Sequence, residues 1–293
     1  MSAFHSTQVS GAGLHIYWTH GSRTDATKLK NYLKDLGLER FAPDKNTPQA
    51  ALKIALDRVC GAKRRLIRPL PAGVRGYAVV NEKKDENGNS LEHSVSFDIV
   101  LSDEKLWPVF QDPETGAVIN PLEESQILHQ FQLELDRCSS HKLGIAVARI
   151  LDHLHGISLR KTGGVYYLPE AMVSKFDEVA KSIQDSAPDG SNVIYGVGLR
   201  MDDRLRKSVV HGLCRELENE VGSIERDVMT QDEEGNYKMK KRGLKTKEER
   251  CEKLRSRIEV YQKIFQTSLT ELSDSLEKAE SAVALVAFEQ LGA

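Results

Sequence analysis

The C-terminal third of the chain is organised by two segments, LRKSVVHGLCRELENEVGSIERDV at residues 205–228 and CEKLRSRIEVYQKIFQTSLTELSDSL at residues 251–276. Apolar residues recur in both segments in steps of three or four, which is typical of helices with a narrow apolar seam. A polar interval that contains Gly235 and Gly243 separates them. The seam residues are Leu205, Val209, Leu213, Leu217, Val221, Ile224 and Val228, then Cys251, Leu254, Ile258, Tyr261, Phe265, Leu269, Leu272 and Leu276.

This pattern predicts an antiparallel coiled-coil helical hairpin over residues 201–293. Its arms of about 25 and 35 residues would extend about 40–50 Å at a rise of about 1.5 Å per residue. That length exceeds the radius of a domain of this size. Each arm therefore has to pack on its own return helix or on another chain, and we expect the coiled coil to form a homo-oligomer or to bind a protein partner.

The composition is that of an ordinary soluble protein. The chain has 293 residues, 40% of them hydrophobic and 29% charged, and a formal net charge of −2. A net charge this close to zero attracts neither nucleic acid nor an anionic membrane. Binding to either therefore needs a local patch of basic residues. The four cysteines lack metal-ligand spacing, and the first ten residues lack the features of a signal peptide. Because no apolar run reaches the roughly 20 residues of a membrane span, we expect a cytoplasmic protein that does not contact membranes.

Residues 1–119 predict an α+β domain with an antiparallel sheet and flanking helices. One helix is expected over residues 24–36, and a second begins at the N-cap Thr47 with Pro48 in its first position. Residues 94–101 alternate between apolar and polar, which is typical of a strand with one buried face. The dipeptide Asn87-Gly88 predicts the turn of a long hairpin before it.

Residues 120–200 predict a helical segment that contains a β-hairpin. Asn120 and Pro121 open its first helix, a second helix follows, and a tight hairpin is expected between residues 157 and 168. The order of helix, helix and hairpin resembles the back half of a winged helix. In that family the helix before the wing commonly enters the major groove, and basic wing residues contact phosphate. The alternative is an αα-β unit of an ordinary core. The expected inward face of the first helix is Leu122, Leu128, Phe131 and Leu135.

Two local groups of basic residues are candidates for nucleic-acid binding. The stretch from residue 63 to 75 carries five Lys or Arg and no acid, and two more cations stand at the wing-like hairpin. Several cations near one strand can bind phosphates with an affinity that falls steeply with salt. A solvated strand edge is the alternative, because Lys and Arg also discourage sheet pairing. The candidate nucleic-acid-binding residues are Lys63, Arg64, Arg65, Arg68, Arg75, Arg160 and Lys161.

A further basic cluster lies between the two seam segments, at the expected tip of the hairpin. A charged tip on a projecting arm is where a partner makes contact, so we expect these residues to bind an acidic protein surface. A solvated turn is the alternative, since Asp232, Glu233 and Glu234 precede the cluster. The candidate partner-binding residues are Lys238, Lys240, Lys241, Arg242 and Lys245.

Catalytic and metal-binding signals are weak. His153 and His155, two apart on a predicted helix, point to different sides and cannot chelate one ion. The glycines complete neither a P-loop nor a dinucleotide-binding pattern, and no Ser or Cys stands in a nucleophile elbow. Tyr17, Trp18 and Trp107 could stack bases, but aromatic residues on strands are more often core. We expect no cofactor, no metal and no catalytic residue. An enzyme whose active site is assembled from dispersed residues is a further alternative.

These patterns favour a non-enzymatic cytoplasmic protein that binds nucleic acid through local basic patches and uses its coiled coil for self-association or a protein partner. The alternative is a structural or assembly subunit that oligomerises through the coiled coil without binding nucleic acid. Phosphate binding would weaken with salt, whereas a seam shared between chains would make the mass depend on concentration.

Overall fold

The structure is a computed structural model that describes residues 13–21, 23–61, 65–84, 90–102, 108–111, 120–160, 164–199, 202–232, 237–265 and 269–292. Its helices are α1 (Ala26–Asp35), α2 (Pro48–Val59), α3 (Pro121–Leu135), α4 (Ser140–His153), α5 (Glu170–Asp185), α6 (Asp203–Met229), α7 (Lys241–Phe265) and α8 (Thr270–Gly292). Its strands are β1 (Gly13–Thr19), β2 (Thr24–Asp25), β3 (Leu66–Pro69), β4 (Gly76–Lys84), β5 (Ser90–Leu101), β6 (Pro108–Gln111), β7 (Arg137–Cys138), β8 (Ile157–Ser158), β9 (Tyr166–Pro169) and β10 (Val193–Leu199).

The predicted fold class is confirmed, because the described residues form a mixed α+β structure with antiparallel sheets. Residue contacts divide the chain into two compact units, each assembled from separate stretches. We call residues 1–18, 148–178 and 194–293 the helical unit, and residues 19–147 and 179–193 the meander unit. Whether the three segments predicted from the sequence fold on their own stays a prediction.

The meander unit is built on a four-stranded sheet in the order β3-β4-β5-β6, in which each strand pairs with the next along the chain. Helices α2 and α3 pack with one face of this sheet in a buried cluster that includes Val79, Phe97 and Ile99. The alternation of residues 94–101 places Phe97 and Ile99 on the helix side, and the predicted long hairpin is confirmed as β4 and β5. Its expected turn, Asn87-Gly88, lies outside the described residues.

Helices α2 and α3 begin where the sequence predicts. Thr47 accepts a hydrogen bond from the Ala50 N–H at 3.3 Å, and Pro48 occupies the first helical position. Asn120 Oδ1 accepts from the Leu122 N–H at 3.0 Å. These side chains satisfy N–H groups that have no acceptor within the helix.

The buried face of α3 differs from the prediction. Leu122 is exposed, and the helix buries Glu123, Ile127, Phe131 and Glu134. The apolar pattern misplaces the face because two carboxylates occupy core positions. Arginines from neighbouring elements compensate their charges, which is the condition for burying ionised groups.

The helical unit contains the second four-stranded sheet, in the order β10-β1-β9-β8. The predicted tight hairpin is present as the antiparallel pair of β8 and β9, with Ile157 facing Tyr167. The winged-helix resemblance is not confirmed, because β9 also pairs along its other side with β1, where Leu14 faces Leu168. Tyr167 is fully buried. Strand β9 of this hairpin is therefore an inner strand of a sheet, whereas a wing needs a free surface to contact DNA.

The C-terminal part of the helical unit contains three helices in the described residues, not the two that were predicted. The second seam segment is divided, because α7 ends at Phe265 and α8 begins at Thr270. Helix α8 packs against both α6 and α7, and seam residues from all three helices join one buried cluster. The predicted long two-helix hairpin is thus replaced by a three-helix packing within one chain. None of the described helices has the length and apolar character of a membrane span.

Candidate functional site

The turn between α6 and α7 presents predicted partner-binding residues in a defined conformation. Gln231 and Tyr237 form an isolated antiparallel bridge across it. Tyr237 and Met239 pack against the core of the helical unit, whereas Lys238 and Lys240, which alternate with them, are exposed. Alternation of this kind is typical of extended backbone and directs both lysines away from the core.

Helix α7 begins within the same basic run. Arg242 and Lys245 are exposed, and the buried Leu244 between them fixes the first turn. This turn contains no acid, although the positive end of a helix dipole favours acidic side chains. The start of α7 therefore attracts anions through both its dipole and its side chains. The side chain of Lys241 lies outside the described residues. We define the tip cluster as Lys238, Lys240, Arg242 and Lys245.

Ion pairs join α6 and α7 below the tip cluster. Lys247 Nζ lies 2.5 Å from the Asp227 carboxylate, and Arg250 lies 3.3 Å from Glu220. The hydrogen bond that Lys247 donates lowers the pKa of Asp227, and the positive charge of Lys247 lowers it further. Lys247 is thus compensated, whereas the four cations of the tip cluster have no ion-pair partner among the described residues.

The predicted nucleic-acid-binding residues are distributed over both units. Arg68 lies in β3 and Arg75 precedes β4, and both are exposed in the meander unit. Arg160 is exposed after β8 in the helical unit. These three arginines are therefore available to a ligand. The residues that lie outside the described ranges are Lys63, Arg64 and Lys161.

Arg65, in the same predicted patch, is already paired. Its Nη1 donates to Glu123 Oε1 at 2.8 Å, and Glu123 is buried in α3. A phosphate would have to compete with this carboxylate for the guanidinium. Sequence reasoning missed the pair because the two residues are 58 positions apart.

A second buried carboxylate of the meander unit holds two more arginines. Glu134 is 0% exposed, and its Oε1 accepts from Arg58 at 2.5 Å and also from Arg137. The Asn46 amide donates to the backbone carbonyl of Glu134 at 3.1 Å. Charges buried in this way need their partners, because an unpaired charge in the core is costly.

The helical unit has a buried charge cluster of its own, centred on Arg257 of α7. Arg257 is 4% exposed. Its Nη2 donates to Glu216 at 2.6 Å and to the Gly156 carbonyl, and its Nη1 donates to Asp152 at 3.3 Å. Lys253 also pairs with Asp152. The cluster ties the end of α4 to α6 and α7.

A cleft of about 320 Å³ lies beside this cluster, with Tyr166 in its wall. Burial raises the pKa of Glu216, and the nearby Arg257 acts in the opposite direction. Burial also raises the pKa of Tyr166. Glu216 accepts from Arg257 through one oxygen and from the Ser158 N–H, at 2.7 Å, through the other. Both oxygens thus serve structural hydrogen bonds, so the arrangement is a cross-link between elements and offers no free base.

The two histidines at the end of α4 lie in different backbone environments. His153 ends the helix, and His155 follows it with φ of 60°. The His155 carbonyl accepts from the Tyr261 hydroxyl at 2.6 Å, and burial lowers the pKa of its imidazole. The described ranges contain no group of three or more His, Cys, Asp or Glu that could hold a metal ion.

Comparison with known proteins identifies a family without identifying an activity. The model of DUF6744, a family of unknown function, matches residues 13–291. The chain belongs to DUF6744. No curated protein and no solved structure matches it. The function of this DUF6744 protein has to be argued from its own residues.

Sequence reasoning missed both buried charge clusters of this DUF6744 protein. Apart from Glu134 and Arg137, which are three positions apart, their members are far apart in the chain, 76 positions for Arg58 and Glu134 and 101 for Gly156 and Arg257. One local signal existed, because Glu123 and Glu134 stand at helical spacing on the face of α3 that carries Phe131. A carboxylate on an apolar helix face indicates a cation from another element.

Proposed function

We propose that this DUF6744 protein is a non-enzymatic nucleic-acid-binding protein whose tip cluster contacts phosphate groups. One observation supports the proposal above all others. Four exposed cations stand together at the start of α7, and none has an ion-pair partner among the described residues. Uncompensated positive charge on a surface attracts polyanions and releases their counterions on binding.

An acidic protein surface, the partner expected from the sequence, could also meet the tip cluster. Nucleic acid is favoured because the backbone N–H groups of Lys241 and Arg242, the first two residues of α7, add to the cations, whereas those of Gly243 and Leu244 donate to the Lys240 carbonyl. Free N–H groups of a first helical turn bind phosphate oxygens. A nucleic acid offers phosphates at regular spacing, which suits cations spread from Lys238 to Lys245. Tighter binding of an acidic peptide than of an oligonucleotide is therefore one of the outcomes that the test distinguishes.

Arg68, Arg75 and Arg160 enter the proposal as additional phosphate contacts, because all three are exposed. Arg65 does not enter it, since Glu123 holds its guanidinium at 2.8 Å. The proposal therefore moves the main contact from the predicted strand edge to the tip cluster and keeps the strand-edge arginines in a supporting role.

Fluorescence anisotropy with labelled single-stranded and duplex oligonucleotides tests the proposal. The four contacts of the tip cluster by themselves predict a slope of about −3.6 for the logarithm of duplex affinity against the logarithm of salt, or about a 150-fold loss between about 50 and 200 mM salt, and the three additional arginines would make the slope steeper. Binding that does not respond to salt, or no binding at all, would contradict it.

The decisive variant replaces all four residues of the tip cluster by Gln. We expect this variant to lose most of the salt dependence and to bind at least tenfold more weakly at low salt, because the phosphate contacts are gone. The matched control, with the same change in net charge, replaces four other exposed lysines by Gln: Lys53, Lys175, Lys181 and Lys278. An equal loss in this control would remove the tip cluster from the proposal. An acidic peptide that outcompetes the oligonucleotide would reassign the tip cluster to a protein partner.

The alternative function, an assembly subunit that oligomerises through the seam, meets a specific obstacle. Leu217 and Ile258 are 1% and 4% exposed within the chain's own three helices. A second chain could use these residues only by displacing a helix of the first. Such an exchange predicts an oligomer that forms slowly and persists on dilution, which light scattering after size exclusion would detect.

A further inference from the structure

Two of the four edge strands in the four-stranded sheets resist pairing with another strand through their own residues. Strand β3 carries the exposed Arg68 followed by Pro69. Strand β6 has four residues and begins with Pro108. Charged side chains and short length oppose an added strand, and proline lacks the N–H that a new ladder requires.

The edge strand β8 is protected by α6. It has two residues, and Ser158 donates its N–H to Glu216 at 2.7 Å and accepts from Arg215 at 2.6 Å through its carbonyl. Gly212 lets the helix lie this close, because a Cβ there would come 3.0 Å from Ile157 and 3.3 Å from the Ser158 oxygen. Side chains of α6 thus occupy the backbone groups that an added strand would use.

Strand β10 has none of these protections. It is the longest of the four edge strands, and its sequence VIYGVGL contains neither a charged residue nor a proline. Tyr195 is 39% and Val197 is 49% exposed. Tyr195 stacks on Tyr17 of β1, with 4.8 Å between ring centroids. Among the described residues no strand pairs with the outer side of β10. A long apolar edge of this kind is a template for another strand.

We propose that β10 is a self-association surface, on which β10 of a second copy of this chain adds in antiparallel orientation. The contact is isologous, so a two-fold axis relates the copies and the same strand meets itself. The axis passes beside Gly196, so that the two Gly196 residues face each other. The two sheets then continue as one sheet of eight strands.

The residues of β10 are self-complementary in this register. Tyr195 of one copy faces Val197 of the other on the exposed side of the sheet, and an aromatic residue opposite a β-branched one is a favourable cross-strand pair. On the opposite side Ile194 faces Gly198, so a large side chain meets a residue without one. Because no charge is present, no like charges oppose each other. This complementarity argues for a second copy as the occupant.

The oligomeric state tests the proposal directly. A single added strand is a small interface, so we expect a dissociation constant of about 10–100 µM. Light scattering over about a hundredfold range of concentration around that value should show a rise from 32.8 kDa towards twice that mass. A mass that stays at 32.8 kDa over the whole range would overturn the proposal.

A matched pair of lysine variants assigns the surface. Val197→Lys places a charge on the exposed side of β10 and should raise the dissociation constant at least tenfold, because edge lysines oppose strand addition. Val109→Lys makes the same change on β6, where Val109 is 45% exposed, and should leave the dissociation constant unchanged. Equal effects of the two variants, or none from Val197→Lys, would assign dimerisation to another surface.

Cysteine cross-linking tests the register. Tyr195→Cys and Val197→Cys proteins, mixed and oxidised, should form a disulfide-linked dimer, because facing Cα atoms lie about 4.5–5.5 Å apart. Each variant alone should cross-link at least tenfold more slowly, since its own cysteines are offset by two residues. Equal cross-linking of the separate proteins would overturn the antiparallel register. These tests need no nucleic acid, so they stand apart from the proposed function.

Discussion

Two groups of basic residues, one in each unit, differ in whether carboxylates compensate them. In the meander unit Arg58 and Arg137 share the buried Glu134, and Arg65 pairs with Glu123. In the helical unit the tip cluster has no ion-pair partner among the described residues. The two groups differ in whether carboxylates from other elements pair with them, not in the density of Lys and Arg. A basic run indicates a ligand site only where no acid from another element meets it.

The strongest test of this comparison removes the buried acid. Glu134→Gln keeps the shape of the side chain but removes the buried negative charge that Arg58 and Arg137 share, so we expect the free energy of unfolding to fall by about 3 kcal/mol. Urea denaturation measures the loss. Glu218→Gln, at an exposed position of α6, should change stability by less than about 0.5 kcal/mol. Equal stability of both variants would show that solvent already compensates the two arginines.

Two arginines three positions apart provide a sharper pair. Arg65→Gln removes the guanidinium that donates to the buried Glu123 at 2.8 Å and should cost about 1–2 kcal/mol of unfolding free energy, with little change in oligonucleotide affinity. Arg68→Gln removes an exposed cation and should leave stability unchanged while weakening oligonucleotide binding at low salt. Denaturation and anisotropy on both proteins check the expectation. The reverse pattern would mean that the Arg65 guanidinium reaches the ligand.

The ion pair of Lys45 and Asp136, with 2.6 Å between Nζ and Oδ1, gives a smaller effect that depends on pH. The hydrogen bond from Lys45 lowers the pKa of Asp136 below 3.8. A carboxyl whose pKa is lower in the folded state adds stability above its unfolded pKa, and this stability disappears as the pH falls through the folded pKa. Asp136→Asn should therefore be less stable than the natural protein at about pH 6 and equal to it near pH 2. A difference between the urea midpoints of the two proteins that stays constant from about pH 6 to about pH 2 would contradict the assignment of this stability to the ionised Asp136.

The smallest expected effect supplies the tip cluster with an acid. Gln231→Glu adds one carboxylate at the bridge to Tyr237 without changing the size of the side chain. Weak compensation by an exposed acid should lower oligonucleotide affinity about twofold to fivefold at low salt and leave stability within about 0.5 kcal/mol. Fluorescence anisotropy on this variant and on the control Gln126→Glu, at an exposed position on α3, separates the local effect from the change in net charge. The same loss in Gln126→Glu would reduce the effect to net charge.

Local chemistry made part of the fold predictable. The caps at Thr47 and Asn120, the hairpin of β4 and β5 and the pair of β8 and β9 all depend on residues close together in the chain. The same holds for the tip cluster, whose exposure follows from one charged turn. Patterns of this kind are visible in a single sequence because the interactions that decide them span few positions.

Long-range pairing made the rest unpredictable. The break between α7 and α8 is hidden because Phe265, Leu269 and Leu272 keep helical spacing across it. Likewise nothing near β9 indicates that β1 pairs with it. Burial of Glu123 and Glu134 depends on arginines elsewhere in the chain. Periodicity reports which residues share a face, but not which element will cover that face.

The pairing of β1 with β9 sets an order on folding during synthesis. Gly13 faces Pro169, so the first strand of the helical unit waits for a strand made about 150 residues later. At about 5–20 residues per second the ribosome needs roughly ten seconds or more for that interval. Most of the meander unit is made within this interval and depends on nearer contacts, which form faster. A nascent chain should therefore fold residues 19–147 of its meander unit while β1 still lacks its neighbour β9, and residues 179–193 join that unit later.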